Sequence, residues 1–178
     1  MLRIIPTYGI IAGLIVGIPM NLMMILQKDH LPISYAELIG YTTMLIALSA
    51  VFVAVKRYRD VDLGGVIKFW PAFGLGLGIS FVASVLYVVA WEISLAVTHT
   101  DFIGGYAKAV IAEAKAKGES AAKIAKLTSD MAQLKAQYAN PLYRLPETFN
   151  EIFPVGVLVS LISAGLLCNS RFLPARRA

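Results

Sequence analysis

The chain has 178 residues, 58% of them hydrophobic and 15% charged, with a net charge of +5; its mean hydropathy is +0.71 and its pI about 9.4. A water-soluble domain is closer to half apolar and a quarter charged, so this composition excludes an ordinary soluble domain. The positive balance does not point to nucleic acid either, because the cations are spread as membrane topology spreads them and form no single basic patch.

Four apolar stretches, Ile4–Leu26, Leu38–Val55, Phe69–Val97 and Ile152–Asn169, take up most of the chain. A spanning helix needs about 20 mostly apolar residues, and lipid admits only helices or closed barrels because no water is there to satisfy bare backbone. The fold class expected is therefore an all-α membrane protein of four transmembrane helices. It divides into residues 1–97 with helices one to three, an extracytoplasmic helical insertion over 98–151, and 152–178 with helix four and a basic cytoplasmic tail.

Arg3 ahead of the first apolar run imitates a secretory signal, but the run is too long for one, lacks a small-x-small cleavage site, and is followed by three more spans. It reads as a retained first helix. Gly9, Gly13 and Gly17 form a GxxxGxxxG ridge on it, a pattern that lets helices approach closely. Pro19 is expected at mid-membrane, kinking the helix and freeing a carbonyl that Asn21 or a neighbouring helix helps to satisfy.

Cytoplasmic loops carry the excess of Lys and Arg. The second loop holds Lys56, Arg57, Arg59 and Lys68, and the tail holds Arg171, Arg176 and Arg177. Both are placed in the cytoplasm, with both termini. The first loop, Gln27–Pro32, offsets one lysine with one aspartate and belongs on the other side. Between these, Asp62-Leu63-Gly64-Gly65 is a turn signal, and Lys68 and Trp70 read as interface anchors ahead of Pro71, which the first turn of a helix tolerates.

On the third span, Gly74 and Gly78 form a second small-residue ridge. Glu92 is ionisable inside an apolar stretch, which costs about 2.5–3.5 kcal/mol at a membrane centre and less near an edge. At 100° per residue it shares a stripe with Val88, Val85, Phe81, Gly78 and Gly74, expected to pack inward. Two readings follow. Glu92 is a proton- or cation-linked carboxylate, or one ordering a polar network with Asn21 and Tyr87; or it reaches water at headgroup level beside Trp91.

The connection Thr98–Glu151 carries seven basic and six acidic residues, but long segments have little orienting force. From Gly104 to Ala139 it is rich in helix formers, with a break at Lys117-Gly118-Glu119-Ser120, where Gly118 suits a C′ position and Ser120 an N-cap. Ile124, Leu127, Met131, Leu134 and Tyr138 recur at the spacing of a packed seam. Ala107, Val110, Ile111 and Ala114 offer the facing side. A helical hairpin is the simplest reading and one long bent helix the alternative. Asn140-Pro141 ends it, and the stretch to Pro146 reads as a loop. The fourth span repeats the small-residue ridge at Gly156, Ser160 and Ala164.

Chemistry-bearing patterns are scarce. His30, Glu37, Glu92, His99 and Asp101 would lie near one surface, but no ligand spacing such as HxxxH or HExxH supports a metal. No phosphate-binding loop, GxSxG or Cys–His frame is present. Cys168 is the only cysteine and reads as a packed small residue. No catalytic residue, cofactor or metal is assigned, and an enzyme is not expected.

Several stretches together resemble a known family: Tyr8-Gly-Ile-Ile-Ala-Gly-Leu; Lys56-Arg57-Tyr58-Arg59-Asp60 shortly before Gly64-Gly65-Val66-Ile67-Lys68-Phe69; Ala72-Phe73-Gly74-Leu75-Gly76; Val82-Ala83-Ser84-Val85-Leu86-Tyr87; Trp91; Thr148-Phe149; and Pro154-Val155-Gly156-Val157-Leu158-Val159-Ser160-Leu161-Ile162-Ser163-Ala164. The chain is similar in these to the bacterial family of domain of unknown function 4199, small four-helix inner-membrane proteins. The resemblance covers nearly everything outside the hairpin tip. It implies a Gram-negative inner membrane and four spans, and brings no activity, catalytic residue or cofactor.

The expected function is that of a non-enzymatic interaction or accessory subunit of the inner membrane. Its hairpin face or the glycine ridge would meet a protein partner or a second copy, with the lipid bilayer as its other partner. The alternative is a small transporter or channel-like protein moving a proton, ion or amphiphile past Glu92.

Overall fold

The computed structural model describes residues 1, 3–26 and 33–175. Gln27–Pro32, and with it His30 and the first-loop reading, lies outside the described residues, as do Arg176 and Arg177; the Glu37 side chain is likewise not described. Six α-helices follow one another: α1 (Ile4–Leu26), α2 (Ile33–Arg57), α3 (Phe69–Thr98), α4 (Phe102–Ala116), α5 (Ala121–Tyr138) and α6 (Pro141–Leu167), with a short π-helical turn at Tyr58–Asp62 after α2. No strand occurs among the described residues. Four segments are long and apolar enough to cross a membrane: Ile4–Met24, Leu38–Asp62, Phe69–Thr98 and Pro141–Leu167. They are the four candidate spans that a helical membrane protein of this composition requires.

The long helices form a bundle in which α3 packs most extensively, against α1 on one side and α6 on the other; α2 closes the ring by contacting α1 and α6. Lipid tails are as apolar as leucine, so such a bundle is held by close packing and interhelical hydrogen bonds rather than by expulsion from water. Small residues supply the closeness. A Cβ on Gly9 would stand 2.6 Å from the Val82 Cβ, one on Gly13 2.7 Å from the Leu86 Cβ, and one on Gly17 3.0 Å from the Ala90 Cβ. The α1 ridge is thus occupied by α3 of the same chain.

The α3–α6 seam is reciprocal. Gly76 lies against Ser160, where a Cβ would come within 2.8 Å, and Gly156 lies against Ser80, where it would come within 2.6 Å. Each serine fills the gap left by the opposite glycine. The hydroxyls of Ser80 and Ser160 are 3.2 Å apart, and both reach the Gly156 carbonyl, at 3.2 and 2.7 Å. No polar group in this buried seam is left without a partner.

Three expectations are corrected here. The buried stripe of α3 is Ala72, Leu75, Gly76, Ile79, Ser80, Ala83, Ser84, Tyr87, Trp91 and Ser94, not the stripe shared by Glu92. Gly74, Phe81 and Val85 of that stripe are exposed and Gly78 and Val88 half-buried. Both faces of α3 are apolar, so hydropathy could not choose between them; the side rich in Ala, Ser and Gly was chosen because only it lets two helices come close. Second, Pro19 is not at the middle of the bundle, where mid-membrane placement would set it. Gly17 faces Ala90, which sets Pro19 level with Glu92 near one end of α3.

Third, residues 141–146 are helix, not loop. Asn140 caps α6 by accepting from the Leu142 N–H (3.0 Å), and Pro141 occupies the first turn, where its missing N–H costs nothing. Pro146 removes one hydrogen bond, but Arg144 before it and Thr148 after it are held against the bundle, and Thr148 is 2% exposed. Tertiary contacts outweigh the proline.

Between α4 and α5 the chain is broken, so one continuous long helix is not what forms. The Glu119 N–H bonds the Ala114 carbonyl (3.1 Å) and the Gly118 N–H the Lys115 carbonyl (3.0 Å), the paired closing bonds of a Schellman motif. Gly118 takes φ +71°, which glycine adopts without a Cβ penalty. Ser120 then caps α5 by accepting from the Lys123 N–H. On α5, Ile124, Leu127, Met131, Leu134 and Tyr138 are half-buried and the other residues exposed; Ala107, Val110, Ile111 and Ala114 of α4 are half-buried as well. The helices contact each other, and Lys135 in the last turn of α5 pairs with Asp101 at the N-cap of α4. They therefore run in opposite directions.

Candidate functional site

The end of the bundle that carries α4 and α5 holds a layer of polar side chains drawn from five helices. Glu92 of α3 receives Arg144 of α6 in bidentate fashion, Nε to Oε1 at 2.7 Å and Nη2 to Oε2 at 2.6 Å. This fork geometry satisfies both carboxylate oxygens at once. Arg144 also donates from Nη1 to the Tyr138 carbonyl (3.2 Å), and its guanidinium lies 5.7 Å from the Tyr138 ring centre. From the other side the Trp91 indole N–H donates to the Tyr138 hydroxyl at 2.7 Å. Burial pushes the Tyr138 phenol above its ordinary pKa, with the hydrogen bonds from Trp91 and Thr148 opposing. Tyr138 thus closes a bridge from α5 to both α3 and α6.

At the base of α4, the Asp101 carboxylate accepts from Lys135 and from the Gly104 N–H (3.0 Å). These bonds hold it below the usual carboxylate range, the Lys135 contact contributing most. On α1, the Asn21 amide donates to the Gly17 and Ala90 carbonyls (3.0 and 3.3 Å), and the Ser94 hydroxyl donates to Asn21 Oδ1 (2.5 Å). The carbonyl freed by Pro19, that of Ile15 four positions back, is not the one Asn21 serves. Deeper in the bundle the Tyr87 hydroxyl donates to Glu151 Oε2 at 3.1 Å.

Glu92, Asn21 and Tyr87 accordingly do not form one network. Each is tied to a different partner: Arg144, Ser94 with two backbone carbonyls, and Glu151. Of the metal-compatible residues, Glu92 and Asp101 are both occupied by cations, and His99 ends α3 in a left-handed conformation (φ 50°). No group of three metal-ligating side chains occurs among the described residues. An open cleft of about 230 Å³ lies beside this layer, with Leu95, Phe102, Ile103 and Ala139 as apolar lining and Lys135 and Arg144 at its polar side. The layer joins helices and neutralises charge.

Nothing in the sequence marks Arg144, because Asn140-Pro141 and Pro146 read as the bounds of a loop. Arg59 reads from the sequence as one of the cations that place the second loop in the cytoplasm, with nothing to mark it as internal. Arg59 is fully buried. Its Nε binds Asp60 Oδ1 (2.6 Å), Nη1 binds the Phe172 carbonyl (2.9 Å), and Nη2 binds the Leu173 carbonyl. Lys56 completes the neutralisation of Asp60 at 2.5 Å. The guanidinium thus staples the segment after α6 to the end of α2, a favourable place for a cation because the last carbonyls of a helix are partly negative.

A family model described as protein of unknown function (DUF4199) matches residues 7–169, a stretch that contains the polar layer, the glycine ridge and Arg59. No curated protein and no solved structure was found to match the chain.

Proposed function

Because the chain belongs to the family described as protein of unknown function (DUF4199), which brings no activity with it, we propose from the geometry that it is a non-enzymatic accessory subunit. It sits in the inner membrane with both termini cytoplasmic, and the four long helices are a stiff base for a periplasmic hairpin, α4–α5, that meets a protein partner or a second copy. One observation carries the reading: Tyr138 ties the α4–α5 unit to the bundle, its hydroxyl accepting from Trp91 of α3 and its carbonyl from Arg144 of α6, while Glu92–Arg144 braces α3 against α6 and Asp101–Lys135 joins α5 to the base of α4. Such bonding suits a mounting better than a reaction centre. The inward face of α5 contains no fully buried residue, so its apolar row retains area for a partner. With the α1 ridge filled by α3, self-association through that ridge is not part of the proposal.

Cross-linking mass spectrometry on mild-detergent extracts tests it. Recurrent cross-links from α4–α5 lysines to one partner, or to a second copy, are expected, and random neighbours alone would remove the reading. Transport past Glu92 would require the carboxylate to leave Arg144. Flux in reconstituted vesicles that Glu92→Gln abolishes would favour that alternative.

A further inference from the structure

One carboxylate in the bundle has no cation. Glu151 follows Arg144 on α6 by seven residues, so it lies about 10 Å further toward the middle of the bundle than the Glu92–Arg144 layer, at 1.5 Å per residue. Its partner Tyr87 precedes Glu92 on α3 by five residues, which places the pair below that layer from the other helix as well. The Tyr87 hydroxyl donates to Glu151 Oε2, the one hydrogen bond that this carboxylate accepts among the described residues. No Lys or Arg pairs with it there. Tyr87 is 7% exposed and holds the carboxylate from the bundle side, whereas Glu151 is exposed. A carboxylate at such depth is costly until a cation or hydrogen-bond donor meets it.

Its neighbours on α6 narrow the choice of donor. Pro154 has no N–H, so the carbonyl of Asn150 four positions back loses its helical donor directly beside Glu151. At 100° per residue, Pro154, Leu158 and Ile162 lie within about 60° of Glu151 on the same side of the helix. All three are exposed, Leu158 at 59% and Ile162 at 60%. One turn outward on that side is Glu147, exposed and likewise without a cation among the described residues. The row thus runs from acceptors that lack donors to bare apolar side chains. A metal ion of the calcium or magnesium type needs about six oxygens, and no group of three ligating side chains occurs among the described residues. A phospholipid ammonium would bring its phosphate in beside Glu147 and Glu151, against their charge. An alkylammonium ion has N–H donors, one positive charge, a chain for the apolar row and no anion of its own.

We propose that Glu151 binds the ammonium group of a long-chain primary amine, with Glu151 Oε1 and the Asn150 carbonyl as acceptors and the alkyl chain lying along Pro154, Leu158 and Ile162. Tyr87 fixes the carboxylate from behind. The proposal rests on the membrane-spanning reading and is independent of any role for α4–α5.

The test is binding of radiolabelled dodecylammonium to the full chain in phosphatidylcholine nanodiscs, with the signal of protein-free discs subtracted. Saturable binding of one amine per chain is expected. Glu151→Gln, whose amide oxygen still accepts from Tyr87, should weaken it about ten-fold or more while the unfolding midpoint is kept. Glu113→Gln, in the hairpin and paired with Lys117, should leave it unchanged. Dodecyltrimethylammonium has the same charge and no N–H, and should bind more weakly because the two acceptors stay unserved. Absence of saturable binding, equal binding by wild type and Glu151→Gln, or equal affinity for the trimethyl analogue would overturn the proposal. Displacement of the amine by phosphatidylethanolamine added to the discs would assign the site to a headgroup and overturn it too. So would a polypeptide that co-purifies with wild type and is released by Glu151→Gln in the absence of amine binding, since the carboxylate would then serve a partner's cation.

Discussion

Glu92 is the residue whose meaning changes most between sequence and structure. Its carboxylate is conspicuous in an apolar stretch, yet its partner sits 52 positions away on a turn of helix that two prolines disguise. With side-chain exposures of 16% for Arg144 and 31% for Glu92, the pair is mostly removed from water. Arg144→Ala strands the carboxylate and should destabilise the protein by about 1–3 kcal/mol, below the range for fully buried pairs. Glu92→Gln/Arg144→Gln should recover part of that loss. Unfolding midpoints in one detergent for the singles and the double would show it, and additive effects would mean that the contact contributes nothing. Arg59 was hidden for a different reason: a basic loop is the expected signature of a cytoplasmic face, so nothing marked one of its cations as internal. Arg59→Met should cost about 3–5 kcal/mol, as removing one partner of a buried ion pair does. It should also open the segment after Leu167 to protease, whereas Arg57→Met, at an exposed position, should do neither.

At the scale of helices, the existence of the four long apolar elements was legible because length and hydropathy alone decide it. Their facing was not. In a helix that is apolar all round, the packed side is set by side-chain size, and α3 buries Gly76, Ser80, Ala83 and Ser84 where a hydrophobic stripe suggested Gly74 and Phe81. Gly156→Val drives a side chain into Ser80 and should cost about 1–3 kcal/mol by overpacking, while Gly165→Val should stay within about 0.5 kcal/mol. Similar losses in both, measured by thermal unfolding, would show that the seam is not where α3 and α6 meet. The break before α5 was legible because Gly118 and Ser120 carry local rules that tertiary packing did not override. Where α4 and α5 join at Asp101–Lys135, pH has a defined effect. The Asp101 carboxyl is depressed in the folded state, so its contribution is present above the unfolded value near 3.8 and is lost as pH falls through the lower folded one. Hydrogen exchange of the first α4 amides should accelerate on acidification below about pH 4. Asp101→Asn should flatten that dependence; an unchanged profile in the variant would remove Asp101 as its source.

For the whole molecule, charge placement and helix count imply one arrangement. The two ends of the bundle differ in kind, with Lys56, Arg57, Arg59 and Lys68 at one and the Glu92–Arg144 layer with α4–α5 at the other. The sequence carried this asymmetry in its loops, but not the staggering of α1 along α3, which comes from the match of glycines to Val82, Leu86 and Ala90 and has no signature in hydropathy. The account depends on the two ends lying on opposite sides of a bilayer. Its most direct test replaces Cys168 by Ser, introduces one cysteine at Lys117 or at Ser170, and exposes intact cells, outer membrane permeabilised, to a thiol reagent that cannot cross the inner membrane. Labelling at residue 117 and protection at residue 170 until the cells are lysed are predicted. Labelling of both positions in intact cells, or of neither, or the reverse pattern, would contradict it.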